Sequence, residues 1–578
     1  MLLTGLLLFG WDAGVRYFYP NAYKPKPKAA APVTPAASAS AKPTREGGLT
    51  NPLDQAVEAR DLKADLNSPA RVRIDAPGLS GSINLTGGVV DDLVTNRHKE
   101  TLAKDSPAQR IFSPAGTPAQ HYAQFGWVGA PGVALPNAGT LWQAPAGARL
   151  TPQTPVTLTW ANASGQTFAL TYRIDADYML TVTQTVANRA AAPVTMQPFA
   201  FINRTNKTAS VRTFNIHSGP FGAFDGEVRF KPKYEDVAEA GQMANEGRTD
   251  WVGFTDIYWM SVLIPDAGAS STFRKLDDSH FRADLTYNPV TVAPGMQASH
   301  ATRLFAGAKE ATVLDRYEAA GVPHFGLAID WGWFRWFEKP IWLLLTKLFH
   351  LTGNFGIAII LLTIIVRGIM FPIAQKQFSS MASMRAIQPK LKALQERYKD
   401  DKPKLQQETM ELYKSEGVNP LAGCLPIFLQ MPVFFALYKV LMVSIEMRHQ
   451  PFALWIKDLS VPDPLHILNL FGLIPWTPPS LLGIGVLGLL LGITMWGQFR
   501  LQPASPDPAQ QQMMQIMPWM MMFIMSPFAA GLLIYWITTN LLVIAQQAYL
   551  YSRHPQMRAM VEKERADVHA AQHPPKKT

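Results

Sequence analysis

Residues 355–371, Phe-Gly-Ile-Ala-Ile-Ile-Leu-Leu-Thr-Ile-Ile-Val-Arg-Gly-Ile-Met-Phe, form an apolar run interrupted by one charge, Arg367. With its flanks the run approaches the ~20 residues that a membrane-spanning helix needs. A guanidinium inside such a helix costs at least about 2.5–3.5 kcal/mol if it faces lipid. The other apolar stretches hold no acidic residue deep enough to pair with it. Arg367 is therefore expected to face a water-filled cavity or a partner. Such a cavity, open to hydrocarbon, attracts polar or anionic segments of other molecules.

The rest of the chain is uneven. Residues 325–552 are strongly apolar, and the stretch before them has the composition of a soluble domain. Lys and Arg outnumber Asp and Glu by 53 to 43. That excess fits nucleic-acid binding or the cytoplasmic loops of a membrane protein. The basic residues cluster beside apolar spans, which favours the second and gives no specific nucleic-acid partner. The single cysteine, Cys424, allows no intrachain disulfide and reads as a small packing residue.

At the start, Met1–Gly10 is an apolar run about half as long as a span. Residues 1–20 read as the distal part of a signal-anchor helix, with a short apolar tail as the alternative. Residues 21–60, rich in Pro, Ala and Lys, are expected to form a flexible linker. From 61 to 322 the pattern alternates. Arg71–Asp75, Ser82–Thr86, Val156–Trp160 and Tyr178–Val186 read as half-buried strands separated by Gly, Pro and Asn clusters. One large antiparallel sandwich closed by a helix at Lys309–Ala319 is expected.

Residues 325–351 mix Trp and Phe with Arg335, Glu338, Lys339 and Lys347, as an interfacial amphipathic helix would. Five spans are then expected within 352–552: Asn354–Ala374, Leu421–Ile445, Leu481–Trp496 after a Pro-rich apolar lead-in, Met513–Pro527 and Gly531–Tyr551. Pro426 and Pro432 should bend the second. The segment 375–419 and the tail 553–578 are the basic ones, so both are placed in the cytoplasm and the sandwich on the opposite side. Phe378, Met381, Met384, Ile387, Leu391, Leu394 and Tyr398 recur at threes and fours along one helix face. With the helix-start signal at Asp400–Pro403, they make 375–419 a charged helical hairpin; a solvated linker is the alternative.

No metal-ligand spacing and no phosphate-binding Gly loop occurs, so no cofactor is expected. His98, His121, His217 and His280 are scattered and read as surface or core residues. The intramembrane polar set is more informative. Arg367 lies about 20 Å along its helix from Asn354. Thr363 shares its face. Gln430, Gln515, Thr538–Asn540 and Gln546–Gln547 come from other spans. Each alone fits helix glue; beside an unpaired arginine, a wet groove is the better reading. Met513–Met525 is Met-rich, and Met517 and Met521 are candidates for a surface that accepts many apolar segments, with plain packing as the alternative.

Several motifs carry a resemblance: Thr363–Pro372, Met381–Lys390, Asn419–Pro426, Gln430–Tyr438, Pro451–Ser460, Gly531–Asn540 and Gln546–Gln547. Together the chain resembles the YidC/Oxa/Alb family of membrane protein insertases in its Gram-negative form. The resemblance implies an α-helical polytopic membrane core, a five-helix insertase bundle plus an N-terminal anchor helix. It also implies an all-β periplasmic domain like a supersandwich and a cytoplasmic helical hairpin. It implies a hydrophilic groove with Arg367 at its heart, lined by Thr363, Gln430, Tyr535, Trp536 and Asn540. Met384, Arg385 and Pro389 then become hairpin contacts. The implied partners are nascent membrane proteins, the lipid bilayer, the Sec translocon and the ribosome, and no bond is made or broken. Two departures stand out. The family more often has Tyr where Trp536 stands, and an uncharged residue where Lys439 stands, which is expected to snorkel to the outer interface. Two rival readings are a small-anion transporter, which would need internal repeats that the sequence lacks, and a periplasmic sugar enzyme on an anchor.

Overall fold

A computed structural model describes residues 66, 68, 70–129, 132–210, 216–332, 335–398, 401–417, 425–471, 473–474, 483–501 and 508–553. The expected anchor 1–20, the linker 21–60, Cys424, the lead-in around 475–480 and the tail beyond 553 lie outside the described residues.

Strands from Arg71 to Ala308 build an eleven-stranded and an eight-stranded sheet. In the first, Val194–Thr205 lies between His121–Gly129 and His280–Tyr287, antiparallel to both. In the second, Gln297–Ala308 lies between Met179–Asn188 and Trp259–Pro265. The four strands read from alternation occur as Arg71–Asp75, Leu79–Asn84, Val156–Ala161 and Met179–Asn188. In Gln166–Ile174 buried and part-exposed residues alternate, the signature of one face on a core and one toward solvent. The sheets share one apolar core, in which Trp251, Phe221 and Phe254 are fully buried. Helix α1 (Tyr234–Ala240) is a short excursion, and α2 (Ala311–Ala319) follows the last strand. The turn Phe325–Ala328 then sets the Phe325 ring edge-on to Trp251, 5.9 Å between centroids.

Eight helices follow among the described residues. Helix α3 (Arg335–Thr352) buries Glu338, Ile341, Trp342 and Leu345 and exposes Trp336, Leu343 and Leu351. Helix α4 (Phe355–Ala386) runs without a break from the first expected span into the hairpin region, through Pro372. The single helix read across Phe378–Tyr398 is instead two, for α5 (Gln388–Arg397) starts anew after Ile387. Pro389 at its first turn supplies the reason, since its missing N–H and fixed φ suit a helix start. Helix α6 (Lys402–Ser415) begins where Asp401 accepts from the Lys404 N–H at 3.1 Å.

The remaining helices are α7 (Leu425–Val443), α8 (Val486–Arg500), α9 (Pro508–Met525) and α10 (Ala530–Arg553). They occupy the last four expected spans with shifted ends. Pro426 sits in the first turn of α7 and Pro432 is carried inside it, so only Pro432 stands where a bend was expected. Two described segments, Phe355–Gln375 and Ala530–Leu550, are long and apolar enough to cross a membrane. Gln430–Val443 is a shorter apolar stretch. Helix α10 packs against α4, α7 and α8, and α3 against α4 and α7.

The β domain is joined to the helices by more than the chain. Past α7, Arg448 is buried and donates to the carbonyls of Lys99 at 2.8 Å and Glu100 at 3.0 Å and to Gln109 Oε1 at 3.3 Å. Its guanidinium also lies over the Trp259 ring, 5.5 Å from the centroid. Two residues earlier, Glu446 accepts the Ala311 N–H at 3.1 Å, capping α2 from outside.

Candidate functional site

Helix α4 has an inside-out character. Thr363 is 1% exposed and Arg367 half-buried, while Ile364, Ile365, Ile369 and Ile373 are exposed. Polar groups turned inward and large apolar ones outward suit a hydrocarbon surround. Among the described residues no carboxylate pairs with Arg367, and Tyr535 lies near it.

Tyr535 reaches that position because α10 begins deep in the bundle. A Cβ on Gly531 would stand 3.3 Å from Ile359 Cδ1 and 3.0 Å from Leu441 Cδ2, so α10, α4 and α7 meet closely there. One turn further along α10, the Tyr535 hydroxyl accepts a hydrogen bond from Gln430 Nε2 on α7. Gln430 Oε1 is buried and has no partner among the described residues. Trp536 is half-buried against Phe434, edge to face at 5.2 Å. Arg367, Thr363, Gln430 and Tyr535 thus gather on three neighbouring helices.

Thr363 contributes less polarity than its position suggests. Its hydroxyl donates to the Ile359 carbonyl of its own helix at 2.7 Å. Asn540 is 2% exposed and serves elsewhere, donating to Thr494 Oγ1 on α8 at 3.2 Å. On α9, Met517 and Met521 are half-buried. Met513, Ile516, Trp519, Met520, Phe523 and Ile524 are exposed, whereas Met522 and Met525 are buried. A Cβ on Gly492 would stand 3.3 Å from Met522 Cβ, so glycine lets α8 approach that side of α9. The Met-rich helix therefore both packs and presents an apolar face. Of the expected hairpin contacts, Pro389 is exposed, and the side chains of Met384 and Arg385 lie outside the described residues.

Lys439, expected to snorkel to the outer interface, stands four residues before the periplasmic end of α7. Its side chain is buried, Nζ donates to the Asp330 carbonyl at 2.9 Å, and Asp330 Oδ2 is 3.4 Å away. Thr494 and the pair Glu446 and Arg448 were also missed. A charge inside an apolar helix was the available signal for Lys439; nothing local marked its partner.

The profile of the 60Kd inner membrane protein family matches residues 347–557, and that of the YidC periplasmic domain matches residues 71–344. The membrane protein insertase YidC of Zymomonas mobilis is 45% identical over 559 residues, covering 96% of this chain and 94% of its own. This chain belongs to the YidC family of membrane protein insertases. The YidC of Bradyrhizobium diazoefficiens is 42% identical over 594 residues, with 96% and 95% covered. A solved structure of an active YidC insertase with its first transmembrane domain resolved covers 83% of this chain and 92% of its own, at 18% identity and a TM-score of 0.35.

As a YidC-family insertase the protein belongs to the inner membrane, with a large periplasmic β domain ahead of the helical region. It acts on membrane proteins and makes or breaks no covalent bond. The β domain touches Glu446 and Arg448, just past the end of α7, so that end of α7 faces the periplasm. The Asn354 side chain, at the start of α4, donates to the Phe452 carbonyl at 2.8 Å and marks the same level. Arg367, twelve residues into α4, then lies about 18 Å toward the opposite side.

Proposed function

We propose that α4, α7, α8, α9 and α10 form a five-helix insertase core in which the cluster around Arg367 is the wall of a hydrophilic groove. The polar or acidic flank of a new membrane protein enters from the cytoplasm and is held near Arg367 and the Gln430–Tyr535 pair. The groove shortens the hydrocarbon path the flank must cross. The apolar segment moves along Met517, Met521 and Trp536 into lipid. The driving energy is burial of that segment, with the membrane potential adding about 2.3 kcal/mol per charge per 100 mV.

The hairpin 375–419, made of the end of α4 with α5 and α6 and with Pro389 exposed, and the basic tail lie in the cytoplasm in this reading. They meet the nascent chain, Met384 and Arg385 among the contacts. The ribosome and the Sec translocon are its working partners.

The single observation that carries this reading is the inward Arg367, unpaired by any described carboxylate, on a helix whose opposite face is exposed and apolar. The test is photocrosslinking to a stalled nascent membrane protein from positions 363, 367, 430 and 536, with Ile365 and Ile369 as controls on the outward face. Adducts at the inward positions are expected. Adducts confined to the two isoleucines would remove the groove.

A further inference from the structure

The turn between α7 and α8 is built in a way that water does not explain. Residues 465–467 run beside 484–486: Ile467 N–H donates to the Ile484 carbonyl at 3.0 Å and Val486 N–H to the Leu465 carbonyl at 3.1 Å. Beyond this, Phe471 N–H donates to the His466 carbonyl at 2.9 Å and Ile474 N–H to the Asn469 carbonyl at 3.1 Å. The turn satisfies much of its own backbone, which a segment leaving water must do. Leu470 and Phe471 both hold positive φ, 48° and 60°, a conformation that such side chains rarely adopt.

The side chains so displayed are all apolar. Leu468, Leu470, Phe471 and Ile474 are exposed, and Leu473 is 83% exposed. No Asp, Glu, Lys or Arg occurs between Asp463 and Arg500, and His466 is the one titratable group in that interval.

Three observations say what covers this surface. The turn is joined through residues 484–486 to α8, where Leu490, Ile493 and Trp496 are exposed and, in the five-helix core proposed above, on which this inference rests, face lipid. Helix α8 has 15 residues, about 22 Å of rise, short of the ~30 Å hydrocarbon core. The base of the turn is at the periplasmic end of the bundle, beside the start of α8. There Asp463 accepts the Leu487 N–H at 2.8 Å, and Ala530 N–H, at the start of α10, donates to the Val461 carbonyl at 2.8 Å.

We propose that the turn at Leu465–Ile474 inserts into the acyl chains of the periplasmic leaflet, beside the start of α8. Its occupant is lipid. The turn anchors the outer rim of the helical core, beside the Leu459–Val461 segment on which α10 begins.

The test uses the full chain in phosphatidylethanolamine and phosphatidylglycerol vesicles, with Cys424→Ser as background and an environment-sensitive fluorophore on one new cysteine. Positions Leu473→Cys and Leu468→Cys report on the turn, Ile493→Cys on lipid, and Leu102→Cys, exposed in the β domain, on water. Spin-labelled phosphatidylcholine is expected to quench positions 473 and 468 several-fold more than 102, approaching 493, and iodide to show the reverse order. Iodide quenching at 473 and 468 equal to that at 102 overturns the proposal. So does shielding from both quenchers, which means that protein covers the turn. Shielding that varies with the protein-to-lipid ratio assigns the cover to a second copy and overturns it equally.

Discussion

Lys439, on an apolar helix, is 2.9 Å from the Asp330 carbonyl and 3.4 Å from its carboxylate. Asp330 belongs to the short tether between the β domain and α3, so the pair fastens that tether to α7. The tether then has a charged clasp on a helix that also carries Gln430 toward the candidate groove. Removing one partner of a largely buried pair leaves the other uncompensated, at a cost on the order of 3 kcal/mol. Lys439→Met is expected to lower the midpoint of thermal unfolding in detergent. Asp330→Asn should cost less, because its carbonyl still accepts from the lysine. The double variant should recover part of the Lys439→Met loss, and strict additivity would mean that the two do not interact.

Glu338 adds a proton to the same neighbourhood. It is buried on α3, and desolvation, set against the attraction of Lys439, raises its carboxyl to about 7. An unfolded glutamate titrates near 4.3. Between those values the folded state binds more protons than the unfolded one, so this group's contribution to stability falls as pH rises from about 4.5 to 7. Glu338→Gln removes that loss. The difference in unfolding midpoint, variant minus wild type, is expected to grow across that interval and level off above it. A difference constant from pH 4.5 to 8 would show that Glu338 is ionised throughout.

The two assignments above show where sequence reading stops. Strands such as Val156–Ala161 were legible because one face is buried and one is not, which writes a two-residue period into the chain. Thr249–Thr255 is buried at every position and carries no such period. Arg367 was legible because a charge in an apolar helix is conspicuous. Lys439 was equally conspicuous, but its partner lies 109 residues away, and no local pattern encodes that contact. The break after Ile387 could have been read from Pro389. Yet α4 carries Pro372 without ending, so proline alone does not decide a boundary. That Gln430 meets Tyr535 depends on where α10 starts, which tertiary packing at Gly531 fixes.

Arg367→Ala is expected to weaken insertion of substrates with acidic or strongly polar flanks, and Arg367→Lys to preserve most of it. The property at stake is a positive charge facing water, which both basic side chains supply. The measurement is the protease-protected fraction of a panel of substrates whose flanks differ in charge. Wild-type insertion of the whole panel by the alanine variant would mean that no charge is required at this site.

Thr363→Val tests a different point. The Thr363 hydroxyl is spent on its own helix, at the Ile359 carbonyl. Its replacement by a methyl of similar size should change stability by no more than about 1 kcal/mol. Insertion should stay near wild type. A several-fold loss would show that the hydroxyl meets substrate or water in the working protein, and that its back-bond to the helix is broken there.

Arg448 reaches from the far side of α7 into the β domain and finds three acceptors and the face of Trp259. Two of the acceptors are the Lys99 and Glu100 carbonyls, at the end of a long strand. Arg448→Met keeps the apolar stem and removes the charge-assisted bonds, each ordinarily contributing about 1.5–3 kcal/mol. The β domain has its own extensive core, so it should remain folded while its hold on the helical region weakens. Hydrogen exchange is therefore expected to quicken at Lys99, Glu100 and Gln109 and around Ala311, whose N–H is held by Glu446 in the same turn, and to stay unchanged at Phe254 and Val262. Quickening throughout the β domain would mean that Arg448 supports the fold itself. No change at Lys99 would mean that the contact does not hold the two regions together.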